Sequence, residues 1–165
     1  VSGVHFRGSR PPASAQTLAL VGFLALTALA AAGGILTPPG AWYAALVKPP
    51  LNPPDWVFPP VWTVLYVLMA LAAWLVWRRT GLRGGMPAFA PFIAQLGANG
   101  LWSALFFGLE RPLLALIDLA VLWCLIVLTG LRFARVSRRA AALLAPYLAW
   151  VTFAGYLNAG IVVLN

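Results

Sequence analysis

Three sets of side chains recur at helical spacing and carry the chemistry open to this chain. Trp62, Tyr66 and Met69 form one set. Gln95, Asn99, Trp102 and Phe106 form the second, and Trp150, Ala154 and Leu157 the third, with Asn158 one position round. Steps of four and three residues keep each set on one helical face. Such stripes have two uses. They glue helices together, at about 0.6–2 kcal/mol per interhelical hydrogen bond. Alternatively, they line a pocket for a flat apolar ligand, with rings stacking on it and an amide meeting its polar edge. The residues alone leave both uses open.

Other chemistries lack their residues. His5 is the sole histidine and lies outside the apolar stretches, so axial haem ligation is not expected, and no CxxCH motif is present. Lys48 is the sole lysine and sits in a loop, which removes a Schiff base inside the membrane. No HExxH, P-loop or carboxylate pair is available for hydrolysis or phosphoryl transfer. The single cysteine, Cys124, allows no internal disulfide. Asp118, inside an apolar stretch, reads as a structural group bonded to a neighbouring amide, phenol or indole, with proton relay or ligand counter-ion as the alternative. Any reaction must use aromatic rings or the ligand's own reactivity.

The elements that position these residues follow from composition. The chain has 165 residues, 62% hydrophobic and 8% charged, against about 25% charged in ordinary soluble domains. Lipid must therefore be its main solvent. A bilayer core about 30 Å thick needs about 20 apolar residues per helix. Five such stretches are read at 17–36, 58–77, 88–109, 113–133 and 140–164. The fold class is all-α, one integral membrane bundle of five transmembrane helices over 17–165, preceded by a mobile tail at 1–16. Short links make sequential spans antiparallel neighbours. A turn is expected at 80–85, Pro91 in the first turn of span 3, and a kink in span 5 at Pro146. Ala90, Ala94 and Ala98, with Gly97 and Gly100 nearby, form a small-residue seam for a homodimer or for internal packing. Between spans 1 and 2, the loop 37–57 is rich in Trp and Pro. Proline there removes amide donors and excludes ordinary helix before Phe58.

Net charge is +8, but its placement argues for topology rather than nucleic-acid binding. Arg7, Arg10, Arg78, Arg79, Arg83, Arg132, Arg135, Arg138 and Arg139 fall on one side of the membrane; only Lys48 and Arg111 fall on the other. The positive-inside rule then puts the N-terminus in the cytoplasm and the Trp/Pro loop and C-terminus outside. Span 1 is too long for a typical cleaved signal core and is read as retained. The leading Val suggests missing residues or non-standard initiation.

Trp42-Tyr43, Leu46, Lys48-Pro49-Pro50, Pro53-Pro54, Trp56, Phe58-Pro59, Val61-Trp62 and Leu65-Tyr66 together resemble the first loop and second helix of the translocator protein family. That family is also called tryptophan-rich sensory protein or peripheral-type benzodiazepine receptor. Gln95-Leu96, Asn99, Trp102 and Phe106-Phe107 resemble its third helix, Ala115 to Asp118 its fourth, and Pro146 to Trp150 through Leu157-Asn158 its fifth. The resemblance implies a five-helix bundle, often a homodimer, with a cavity under the first loop. That cavity would bind porphyrins such as protoporphyrin IX, sterols and synthetic benzodiazepine-site ligands, with no cofactor required. Carried over by residue, the pocket comprises Tyr43, Trp62, Tyr66, Asn99, Trp102, Trp150, Ala154 and Leu157. Trp62 and Trp150 match tryptophans linked to porphyrin binding and light-dependent porphyrin breakdown. Lys48 is the loop cation available to porphyrin propionates.

The implied function is tetrapyrrole transport or sensing. A light-dependent porphyrin-degrading enzyme and a sterol- or lipid-binding scaffold are the alternatives. One departure weighs on sterol: no Tyr and no basic residue follow Leu157-Asn158, so that recognition patch is absent. The arginine asymmetry suits a bacterial cytoplasmic membrane.

Overall fold

The computed structural model describes residues 11–165, with Ile35 described by its backbone alone. Helix α1 spans Ala13–Leu36. It therefore begins inside the segment expected as tail; residues 1–10 of that segment lie outside the described residues. Alanine at three of the first positions after Pro12 favours helix there. The helix ends where the Thr37 amide and hydroxyl both donate to the Gly33 carbonyl, at 3.2 and 2.8 Å. Pro38 then disfavours helical backbone at Thr37.

The loop is more ordered than proline content alone suggests. A short helix α2, Ala41–Ala45, forms in the stretch free of proline between Pro39 and Pro49. A 3-10 turn at Asp55–Val57 leads into helix α3, Phe58–Ser103. This long helical run is two antiparallel arms. Gly81, at φ 64 and ψ −176, breaks it in a region open essentially only to glycine. Cross-arm bonds from Tyr66 to Asn99 and from Gln95 to Met69 show that the chain doubles back there. The expected six-residue turn is thus a reversal at one residue, and the second arm resumes helix at once. Pro91 consequently lies inside the helical run, with Pro87, instead of in its first turn.

A π-helical turn at Ala104–Gly108 closes the second arm, with the Leu109 amide donating to the Ala104 carbonyl at 2.8 Å. Helix α4, Pro112–Val136, starts with its proline in the first turn, where the missing donor does no harm. Ser137 then caps helix α5, Arg138–Leu143, by accepting from the Ala140 amide. Helix α6 runs Ala145–Leu164. The fifth span is therefore broken at Leu144 rather than kinked further in, and Pro146 occupies the first turn of α6.

The α1, α4 and α5–α6 segments are each long and apolar enough to cross a membrane, and so is α3. Because α3 doubles back, the chain forms a five-helix membrane bundle. Leu18, Leu29, Val64, Ile93, Ile117 and Val163 are exposed on its outside, as lipid-facing residues must be. The core lies toward the end carrying the arginine loops. There Met69 and Val76 of the first arm meet Phe92 of the second, Ile126 and Phe133 of α4, and Tyr147 of α6. Helix α1 rests on both arms of α3. The Trp74 indole donates to the Gln16 carbonyl at 2.9 Å, and Gly33 lies so close to Gly100 that a Cβ would sit 3.1 Å from its oxygen.

Candidate functional site: a lidded aromatic cavity

Opposite the packed core, the bundle opens into a cavity of about 540 Å³ beneath the loop. All eight residues expected at the pocket line it. Trp62 and Tyr66 come from the first arm of α3, and Asn99 and Trp102 from the second; Trp150, Ala154 and Leu157 come from α6, and Tyr43 from the lid. Stripes on three separate helical segments meet because the arms are antiparallel and α6, packed on α4, turns its stripe toward them and joins them through side chains.

Hydrogen bonds hold the wall rings in place. The Tyr66 hydroxyl donates to Asn99 Oδ1 at 2.5 Å, and Asn99 Nδ2 donates to the hydroxyl of fully buried Tyr147 at 3.1 Å. Trp102 Nε1 donates to Asn158 Oδ1 at 3.1 Å, while Asn158 Nδ2 donates to the Pro112 carbonyl at 2.8 Å. Each amide thus ties a ring to a neighbouring element, which is the helix-gluing use of a polar group in lipid. Asn99 keeps one N–H and one lone pair beyond these bonds. Ring contacts continue the wall. Trp62 stacks on Tyr66 at 5.6 Å and stands edge-on to Tyr147 at 6.2 Å, and Trp150 is edge-on to Phe58 at 5.8 Å. Gluing and lining are therefore the same residues doing both.

The lid reaches the wall through Tyr43, which is buried edge-on against Phe106 and Phe107. The π-helical turn brings those two consecutive phenylalanines to one volume; extra residues in a turn often mark functional sites. Burial pushes the Tyr43 phenol above its ordinary range, the Asp55 charge adds to this, and a hydrogen bond with Asn52 offsets part of it. Tyr43 stays a neutral donor. On its other side the lid is latched to α6. A Cβ on Gly160 would fall 2.6 Å from the Pro49 ring, so the missing side chain makes the seat for that proline. The Tyr156 hydroxyl donates to the Pro50 carbonyl at 2.8 Å. The Asn165 side chain pairs with Val47 at both groups, accepting from its amide at 3.0 Å and donating to its carbonyl at 3.1 Å.

Some residues singled out in the sequence lie elsewhere. Gln95 and Met69 share the stripe faces but sit in the core, where Gln95 Nε2 has only the Met69 sulfur at 3.9 Å and its Oε1 has no partner. Asp118 does not line the cavity, and its Oδ2 is buried without a hydrogen bond among the described residues, against the bonded structural role read from sequence. Lys48 donates to the Tyr43 carbonyl at 3.1 Å and lies 4.6 Å from that ring's centre, outside the lining. Of the small seam, Ala90 and Ala94 face outward, while Gly100 packs on α1. Missed lining residues include Ala31 and Gly34 of α1, Asn52 and Asp55 of the lid, and Ser103. The α1 contribution had no sequence signal except Gly33-Gly34, because a small residue lining a space looks like any other apolar position.

Comparison with known proteins agrees with this architecture. The sequence profile of the TspO/MBR family matches residues 19–164. The chain is 50% identical to the tryptophan-rich protein TspO of Chlorobaculum tepidum over 155 residues, covering 90% of this chain and 96% of that one. It is 43% identical to the tryptophan-rich sensory protein of Cereibacter sphaeroides, over 82% of this chain and 84% of that one. With the human translocator protein it shares 39% identity over 71% of this chain and 70% of the relative. Coverage runs through all five membrane crossings and the lid, and the chain belongs to the TspO/MBR family.

Proposed function

We propose that this membrane protein binds porphyrin-type tetrapyrroles such as protoporphyrin IX in the lidded cavity, for their transport or sensing. The carrying observation is the convergence of Trp62, Trp102 and Trp150 on one volume. At about 540 Å³ it falls within the roughly 300–1,000 Å³ usual for ligand pockets. Indole faces suit a flat macrocycle, and Asn99 has a hydrogen-bonding edge to spare. Relatives named translocator protein and tryptophan-rich sensory protein fit carriage and sensing respectively. Titration with protoporphyrin IX should quench tryptophan fluorescence saturably, and Trp62→Phe with Trp150→Phe should weaken binding about tenfold, at about 0.5–1.5 kcal/mol of lost contact per indole. Unchanged affinity in the double variant removes the site from consideration.

One arrangement favours a second reading, light-dependent porphyrin breakdown. Trp62, Tyr66 and Tyr147 form a contiguous group of oxidisable rings at the wall. Illumination of the complex separates the readings: Soret absorbance lost only at the protein-free rate rules catalysis out. A sterol reading has less support, since Gly160, just past Leu157-Asn158, carries the lid's Pro49.

The outward-facing Ala90 and Ala94 suit a homodimer seam, and a monomeric mass in mild detergent at all concentrations counts against it. The arginine-bearing end is assigned to the cytoplasm of a bacterial cell. Arg83→Cys labelled by an impermeant reagent from outside intact cells would contradict that assignment.

A further inference from the structure

We infer that the cavity selects flat ligands that are neutral or cationic at their lid-facing edge, and that Asp55 is the residue that disfavours a carboxylate there. This selection presupposes the tetrapyrrole reading and narrows its ligand class.

Among the described residues, Asp55 is the one charged side chain lining the cavity. Its charge acts on the Tyr43 phenol, which lines the same cavity. The described cations stand outside the cavity lining or at the far end of the bundle. Lys48 is turned away onto the Tyr43 carbonyl and ring. Arg111 lines a separate cleft with Glu110, Trp42 and Pro112. The other described arginines, on the turns after the first arm of α3 and after α4, stand at the opposite end of the bundle.

A free-acid porphyrin therefore meets a like charge if its propionates point to the lid. Turned the other way, it buries them against the apolar core, which is costlier still, so protoporphyrin IX binds with its propionates at the mouth and more weakly than its ester. An ester, or a ligand with a donor or cation at that edge, meets neither obstacle. The carboxylate of Asp55 accepts hydrogen bonds from such an edge. Specificity here comes from repulsion of the wrong ligand as much as from attraction of the right one.

The test compares protoporphyrin IX with its dimethyl ester by tryptophan quenching, in nanodiscs of zwitterionic lipid, for wild type, Asp55→Asn and Asp55→Lys. Comparing the ratio of the two affinities between wild type and each variant cancels their different partition into lipid. Asp55→Asn should shift the ratio toward the free acid about threefold to fivefold, the range for an exposed, solvent-screened charge pair. Asp55→Lys should shift it further in the same direction, and added salt should shrink both shifts. If both porphyrins bind wild type and neither substitution moves the ratio, charge selection is overturned while tetrapyrrole binding stands. If neither porphyrin quenches wild type, both readings fall together.

Discussion

At the arginine-bearing end, Met69, Val76, Phe92 and Phe133 interlock with no exposed surface, beside Ala72 and Ala73 on the same arm as Met69. At the lid end, Trp62, Trp102 and Trp150 stand only half-buried around open space. Both ends are rich in aromatic rings, so ring content does not explain the difference. Pairing does. In the core, large rings face alanines and aliphatic chains that fill the gaps. Around the cavity, amides brace Tyr66 and Trp102 against neighbouring helices, Trp62 and Trp150 rest on the rings of Tyr66, Tyr147 and Phe58, and small residues such as Gly34, Ser103 and Ala154 share the lining. A ring whose polar atom is fixed to another helix cannot swing inward to fill the void. Close packing is the default of a protein interior, and the braced rings and small lining residues together suspend it.

The contrast can be broken most severely from the packed end. Phe133→Ala should destabilise the bundle by about 3–5 kcal/mol, because a fully buried ring leaves a void that the neighbours only partly close. Reversible unfolding in mixed micelles measures this; a loss under about 1 kcal/mol would mean the end is not tightly packed. The lid latch comes next. Gly160→Leu puts a side chain where Pro49 sits, an overpacking that costs about 1–3 kcal/mol. Faster hydrogen exchange at Val47 and quicker ligand release are expected, and wild-type exchange there would show that the latch does not hold the lid. The smallest effect sharpens the comparison. Asn99→Leu keeps volume while releasing Tyr66 and Tyr147, and should cost about 1–2 kcal/mol of stability. Its signature is a change in cavity tryptophan fluorescence, with little change in the core.

Much of this was readable before any coordinates. The three stripes follow from spacing alone, and the eight pocket positions, carried over by resemblance, all reach the cavity wall. The boundaries were harder. Gly81 looked like one residue of a flexible turn, because nothing local says that a single residue in a glycine-only conformation will reverse the chain. The stretch 41–45 looked like loop because proline surrounds it, although none lies within it. Gln95 and Asn99 stand on the same face with the same amide chemistry. One is in the core and the other at the cavity, since one helical turn of depth separates a filled layer from an empty one.

Hydrophobic content, spacing and charge placement by themselves determined that the chain crosses a bilayer five times and turns aromatic stripes inward. Lipid accepts only helices with satisfied backbones, so those properties are local and additive along the chain. Where the stripes meet, how deep the open space extends, and which charge lines it were decided only in three dimensions. Asp55 and Lys48 are loop neighbours of opposite sign, seven positions apart, and their order along the chain gives no hint of which one lines the cavity. The fold settled that by anchoring Lys48 on Tyr43 and seating Pro49 on Gly160, leaving the carboxylate at the mouth. Such choices depend on contacts between residues distant in sequence, and only packing can make them.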